Sequence, residues 1–218
     1  MGTDWGSLRR LEPVSRHFGF DRGTPVDRFY IERFLLANSE CIRGRVLEIG
    51  DDTYTRRFGM DRVVRGDVLH VHAGNPQATI VGDLATDSTI PSSVFDCVIA
   101  TQTFQLIFDP AAALETIHRI LKPGGVLLAT VPGLTVVSHE SDEWSKTWYW
   151  SFTSPTLRRL VASVFSPALC RFEAHGNPLA GVCVLEGLAV EDISVPELEG
   201  SDPEYPVLLT VRATKEPA

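Results

Sequence analysis

Phe95-Asp96-Cys97-Val98-Ile99-Ala100 is followed by Asp109-Pro110 and then by Arg119-Ile120-Leu121-Lys122-Pro123-Gly124-Gly125-Val126-Leu127-Leu128-Ala129-Thr130-Val131-Pro132. The first and last of these segments contain continuous apolar runs, as strands covered on both faces do. The stretch between them reads as a helix. Asp109 can cap it and Pro110 suits its first turn. Leu114, Ile117 and Leu121 recur at spacings of three and four, which puts them on one face. Lys122-Pro123-Gly124-Gly125 stops the helix and turns the chain into the next strand. Strand, helix and strand in this order predict a parallel crossover unit.

Upstream the same rhythm continues. Val46-Leu47-Glu48-Ile49-Gly50 reads as a first strand ending in glycine. Arg62 to Val68 holds a second, with Asp67 near its end, and Thr79 to Leu84 gives a third. A helix precedes them: Thr24 can cap it, Pro25 suits its first position, Asp27 follows in its first turn, and Phe29, Phe34 and Leu35 supply an apolar side. Downstream, Pro155 to Val164 predicts a helix with Leu157, Leu160 and Val161 inward. Late strands are expected around Ala180 to Leu185 and Pro206 to Arg212, the latter antiparallel. Glu191 to Tyr205 reads as a loop. The expected architecture is α/β, a Rossmann-like seven-stranded sheet with helices on both faces. Residues 1–43 are expected to form an N-terminal helical cap, and residues 44–218 the remainder of a single domain.

Composition narrows the function. The 218 residues are 44% hydrophobic and 22% charged, enough for a full core. Lys plus Arg is 20 against 28 Asp plus Glu, a formal charge of −8. That argues against a nucleic-acid or anionic-membrane binder, since both need an excess of cations. No apolar run approaches the roughly 20 residues of a membrane span, and the first 20 residues lack a secretory pattern. The four cysteines are scattered, which predicts free thiols in a cytoplasmic protein. Neither a zinc site nor any other metal is expected.

The segment Phe95 to Ile99, the turn Arg119 to Gly125, Leu47-Glu48-Ile49-Gly50 and Gly82-Asp83-Leu84, in this order, resemble a class I S-adenosylmethionine-dependent methyltransferase of the type 11-like kind. The resemblance covers roughly Arg45 to Pro132. It implies S-adenosyl-L-methionine as cofactor, bound beyond the carboxyl ends of the strands where strand order reverses. It places Glu48, Gly50 and Asp51 at the first loop. Asp67 would accept the ribose hydroxyls, with Val68 beside it. Asp83 and Leu84 would meet the adenine, and Thr101 and Gln102 would border the methionine.

One feature departs from the family. Its members carry Gly-x-Gly-x-Gly after the first strand, where glycine lets the backbone approach the ligand. Here Gly50 is followed by Asp51-Asp52-Thr53-Tyr54-Thr55-Arg56-Arg57. The acids could hold an ammonium or cap the next helix, and Arg56 or Arg57 could neutralise them. The absence of G-x-G-x-x-G also argues against a nicotinamide-dependent oxidoreductase.

Methyl transfer to an oxygen benefits from a base, and His139, beside Glu140 and Asp142 after the fifth strand, is the best-placed candidate. Tyr30, Trp148, Tyr149 and His175 are candidates for contact with the acceptor; the tryptophans and tyrosines serve equally well as core. The expected activity is O-methylation of a small molecule, a sugar, glycan precursor or secondary metabolite. The alternative is a methyltransferase-like binding or regulatory subunit without catalysis. The sequence assigns no oligomeric state.

Overall fold

The computed structural model describes residues 6, 9–86, 89–137 and 146–218. Its centre is one seven-stranded sheet. In chain order the strands are β1 (Gly44–Ile49), β2 (Val63–His70), β3 (Ile80–Val81), β4 (Phe95–Thr101), β5 (Leu121–Pro132), β6 (Cys170–His175) and β7 (Leu208–Thr214). They lie in the order β3-β2-β1-β4-β5-β7-β6. β1 to β5 are parallel, and β7 runs antiparallel to both β5 and β6. Strand order reverses between β1 and β4, so the crevice expected of such sheets opens above their carboxyl ends.

Helices α1 (Val26–Ala37), α2 (Pro110–Ile120), α3 (Ser154–Ala162), α4 (Pro178–Glu186) and α5 (Val195–Glu199) cover the two faces. Alternate strand residues feed alternate cores, because side chains leave a strand on opposite sides. Leu47, Phe95, Val98 and Leu127 pack with Leu114 and Ile117 of α2 and Leu157 and Val161 of α3. Val46, Cys97, Ile99 and Leu128 pack with Tyr30, Ile31, Phe34 and Leu35 of α1 and with Ala180 of α4 and Leu198 of α5. A fully buried Ile or Leu stabilises by about 1.5–3 kcal/mol relative to exposure. Ile31, Leu47, Ile99 and Ile117 are all below 2% exposed.

Most of the expected elements are present. Asp109 caps α2 by accepting from Ala112 N at 3.0 Å, with Pro110 next. β7 is antiparallel, as expected. Several details differ. β2 runs on to His70, so Asp67 sits inside the strand, opposite Leu47, and not at its end. β3 has only two residues. Residues 178–186 are helical where a strand was expected: Asn177 accepts from Ala180 N, Pro178 follows, and Gly187 closes α4 at φ 65°. Those terminal signals outweigh the apolar run between them. α5 lies in the segment read as loop, and β6, whose exposure alternates, replaces residues assigned to no element. Pro25, and not Thr24, is the N-cap of α1; the Thr24 hydroxyl bonds Glu191 instead.

Candidate active site

Glu48 anchors the first loop. It is 2% exposed, and it accepts from Tyr54 N at 3.1 Å and Thr55 N at 2.6 Å. They belong to the N-cap and the first residue of a short helical turn, Thr55–Gly59, which the single turn Met60–Arg62 joins to β2. Burial pushes the Glu48 carboxyl up to about 7, against the pull of the two amides and with a further push from the charge of Asp51. Gly50 follows at φ 96°, a conformation that favours glycine. A Cβ placed there would meet nothing within 4 Å, so open space lies beside this backbone. Asp51 accepts from Thr53 N at 2.8 Å and remains exposed.

The start of α1 closes the other side. Arg28 lies 3.9 Å from Asp27, beside the Tyr54 hydroxyl and within the field of Asp51. Burial opposes its charge, but those three neighbours outweigh it and hold the guanidinium above its ordinary value. Gln102, the first residue past β4, adopts φ 48°. Its carboxamide donates to Asp27 Oδ2 at 3.1 Å and accepts from Gln105 Nε2 at 3.0 Å. A continuous polar chain therefore runs from the end of β4 to the start of α1, across the switch point.

Sequence reasoning placed Gly50, Asp51, Thr101 and Gln102 at this rim, and the structure gathers them there with Glu48 beneath. Asp67 is corrected. Its side chain is 1% exposed, and it accepts from Arg45 Nε at 2.7 Å, from Arg65 NH2 at 2.9 Å and from Thr79 Oγ1 at 3.2 Å. Burial would raise its pKa, but the bonds from Arg45 and Arg65 win and hold it low. Its bonds tie Asp67 to β1 and to the segment before β3. Val68 is corrected with it, since its N–H and carbonyl are both bound to Thr79. At the true end of β2 stand His70 and His72, with His70 Nδ1 3.0 Å from the His72 carbonyl. Asn75 reaches from the next turn to donate to Gly50 O at 2.6 Å.

Asp83 follows β3 and accepts from Ala85 N at 2.8 Å, while Leu84 is buried in the core shared with Leu47 and Leu69. Tyr30 and His175 do come together, with rings 5.8 Å apart. Yet Tyr30 is 4% exposed and donates to Leu198 O, and His175 Nε2 lies 3.0 Å from Thr210 Oγ1. They join α1, α5, β6 and β7, Tyr30 buried and His175 half-buried. Trp148 and Tyr149 lie at the rim: Tyr149 N donates to Gln105 O at 2.8 Å, and Trp148 stacks on Phe18 at 6.2 Å. His139, with Glu140 and Asp142, lies outside the described residues. Arg28, Gln105 and Asn75 were missed; the only signal for Arg28 was its place in a charged segment just ahead of the first strand.

A sequence profile of the family described as a methyltransferase domain matches residues 7–168. The chain belongs to this family of S-adenosylmethionine-dependent methyltransferases. A curated relative from Mycolicibacterium smegmatis, named as a probable S-adenosylmethionine-dependent methyltransferase, is 28% identical over 102 residues, which are 47% of this chain and 39% of the relative. The match thus spans well under half of that relative's length. Among solved structures, the [4+2]-cyclase SpnF superposes with TM-score 0.58 at 15% identity, covering 90% of this chain and 85% of that one. The N-methyltransferase NodS from Bradyrhizobium japonicum, crystallised with S-adenosyl-L-homocysteine, has TM-score 0.54 at 14% identity and covers 93% and 94%. At these identities the superpositions establish the Rossmann-like methyltransferase fold. S-adenosyl-L-methionine is the cofactor of this family. Among the described residues no helix is long and apolar enough to cross a membrane.

Proposed function

We propose that the protein transfers the methyl group of S-adenosylmethionine to an oxygen of a small molecule, a sugar, glycan precursor or secondary metabolite. The observation that carries the cofactor part is the placing of Gly50, Asp51 and Arg28 together at the rim above β1. A zwitterionic amino acid needs a cation for its carboxylate, an acceptor for its ammonium and close backbone approach. Arg28 supplies the first, Asp51 the second and Gly50 the third. The aspartate that would repel a carboxylate in this loop is thereby offset, and the lost glycines need not abolish binding.

The bound cofactor supplies an electrophilic methyl group on sulfur. The chain's own residues supply position. Glu48 fixes the first loop through two amides, and Gln102 couples the β4 end to Asp27 beside Arg28. The aromatic stretch 148–150 lies over the turn after β4, where it can exclude water. The net charge of −8 is consistent with an acceptor that is not a nucleic acid.

A second reading is a methyltransferase-like binding subunit. What favours it is the end of β2, where His70 and His72 stand in place of a free carboxylate. Fold does not fix reaction, as a cyclase among the structural neighbours illustrates. Incubation with methyl-labelled S-adenosylmethionine and a panel of hydroxylated sugars and phenols distinguishes the two. Labelled ether product supports the enzyme; cofactor binding without transfer across the panel supports the subunit.

A further inference from the structure

The 3₁₀ turn Phe104–Leu106 follows β4 directly, and its Gln105 is 1% exposed. Its amide nitrogen donates to Gln102, but its Oε1 is buried with no partner. Trp148 repeats the pattern: its ring stacks on Phe18 while Nε1 is buried and unpaired. Buried polar side-chain atoms are nearly always hydrogen-bonded, and an orphan is costly. Here two orphans, one acceptor and one donor, sit on segments in direct contact, since Tyr149 N and Trp150 N both donate to Gln105 O. That contact lies at the rim of β4, one residue pair away from the chain Gln105–Gln102–Asp27 that ends beside Arg28.

We propose that Gln105 Oε1 and Trp148 Nε1 are the recognition pair for the methyl acceptor, and that the acceptor presents to them an uncharged group able both to donate and to accept, a hydroxyl or a carboxamide. This rests on the methyltransferase reading of the same rim. Both atoms lack accessible surface, so the acceptor meets them when the stretch 148–150 lifts from the turn. Among the described residues that stretch is held by its main-chain bonds to Gln105 and by Trp150 Nε1 donating to Ile107 O, and Tyr149 and Trp150 are 45% and 39% exposed beside Phe108, itself 72% exposed. Uncharged recognition follows from the partners. Neither Gln105 nor Trp148 has an ion-pairing neighbour among the described residues, and a Gln oxygen with an indole N–H offers one acceptor and one donor without net charge.

Three matched probes test it: benzamide, benzoate and benzylamine, titrated by ligand-observed NMR into the full chain with and without S-adenosylhomocysteine. The amide is expected to bind tightest. Trp148→Phe, which keeps the ring on Phe18, and Gln105→Met are each expected to weaken the amide by about tenfold or more. The affinity of Trp148→Phe for S-adenosylhomocysteine should stay within about twofold of wild type. Preference for the anion or the cation overturns the proposal, as does failure of all three probes to bind or an unchanged amide affinity in Trp148→Phe. If Gln105→Met fails to fold, Trp148→Phe decides alone. Loss of homocysteine-nucleoside binding in the wild type would instead sink the cofactor reading, and the probes without nucleoside would still decide the recognition pair.

Discussion

Arg45 Nε donates to Asp67 Oδ2 at 2.7 Å across the β1–β2 pair, and this buried ion pair takes up the acid expected to hold the ribose. Asp67→Ala is therefore a stability variant. Asp67 is buried, but Arg45 and Arg65 are 26% and 60% exposed, so the charges left behind reach water and the loss is about 1–3 kcal/mol. Urea unfolding should show that loss. S-adenosylhomocysteine affinity, measured by calorimetry well below the variant's midpoint, should stay within about twofold of wild type.

Glu48 makes stability depend on pH in the opposite sense to a carboxylate whose pKa is lowered by folding. Its folded pKa is raised to about 7, so between its unfolded value and about 7 the folded state binds the proton more tightly. Stability then falls as pH rises through that window, by roughly 3 kcal/mol at most. The denaturant midpoint of the wild type should drop relative to that of Glu48→Gln between about pH 5 and pH 8. Parallel curves for the two proteins would show that the carboxyl is ionised throughout.

Gly50→Ala separates backbone strain from steric clash. At φ 96° an alanine is strained by about 1–2 kcal/mol, although its Cβ would touch nothing. A fall of that size in unfolding free energy is expected, together with loss of S-adenosylhomocysteine binding, because the methyl group would occupy the space beside the loop. Retained binding would move the cofactor away from Gly50.

Asn177 holds both ends of the α4–α5 segment. Its Oδ1 accepts from Ala180 N at 3.0 Å, and its Nδ2 donates to Glu197 O and Gly200 O at 2.7 Å each. Asn177→Ala should lower stability by about 2 kcal/mol, a cap plus two carbonyls returned to water. Gly187→Ala should cost more. At φ 65° its Cβ would lie 2.2 Å from Ser15 O, so the N-terminal segment would have to shift. Thermal unfolding of the two variants checks the order.

The sheet was legible because its parallel strands are buried on both faces and read as apolar runs, and because Asp109-Pro110 and Lys122-Pro123-Gly124-Gly125 mark the ends of α2. The helix α4 was hidden because residues 178–186 are apolar on every side, so only Asn177, Pro178 and Gly187 distinguish it from a strand. β6 alternates polar and apolar residues at a sheet edge, a weak pattern over six positions. The rim was half legible. Gly50, Asp51 and Gln102 follow strand ends and could be placed by order alone. Asp67 was misplaced because β2 extends three residues past it, a length set by pairing with β1 through Leu69 and not by local sequence. Arg28 and Gln105 act through contacts between α1, β1 and β4, distant segments that no local pattern joins.

In the proposed site the methionine end of the cofactor lies against Gly50, Asp51 and Arg28. Parallel calorimetric titrations with S-adenosylhomocysteine and 5′-methylthioadenosine, which lacks the amino acid, test it in wild type and Arg28→Ala. This placement predicts that Arg28→Ala weakens S-adenosylhomocysteine by about 10–100-fold, the cost of a lost charge-assisted bond, and leaves methylthioadenosine within about twofold. Equal weakening of both nucleosides, or no weakening of either, would contradict it.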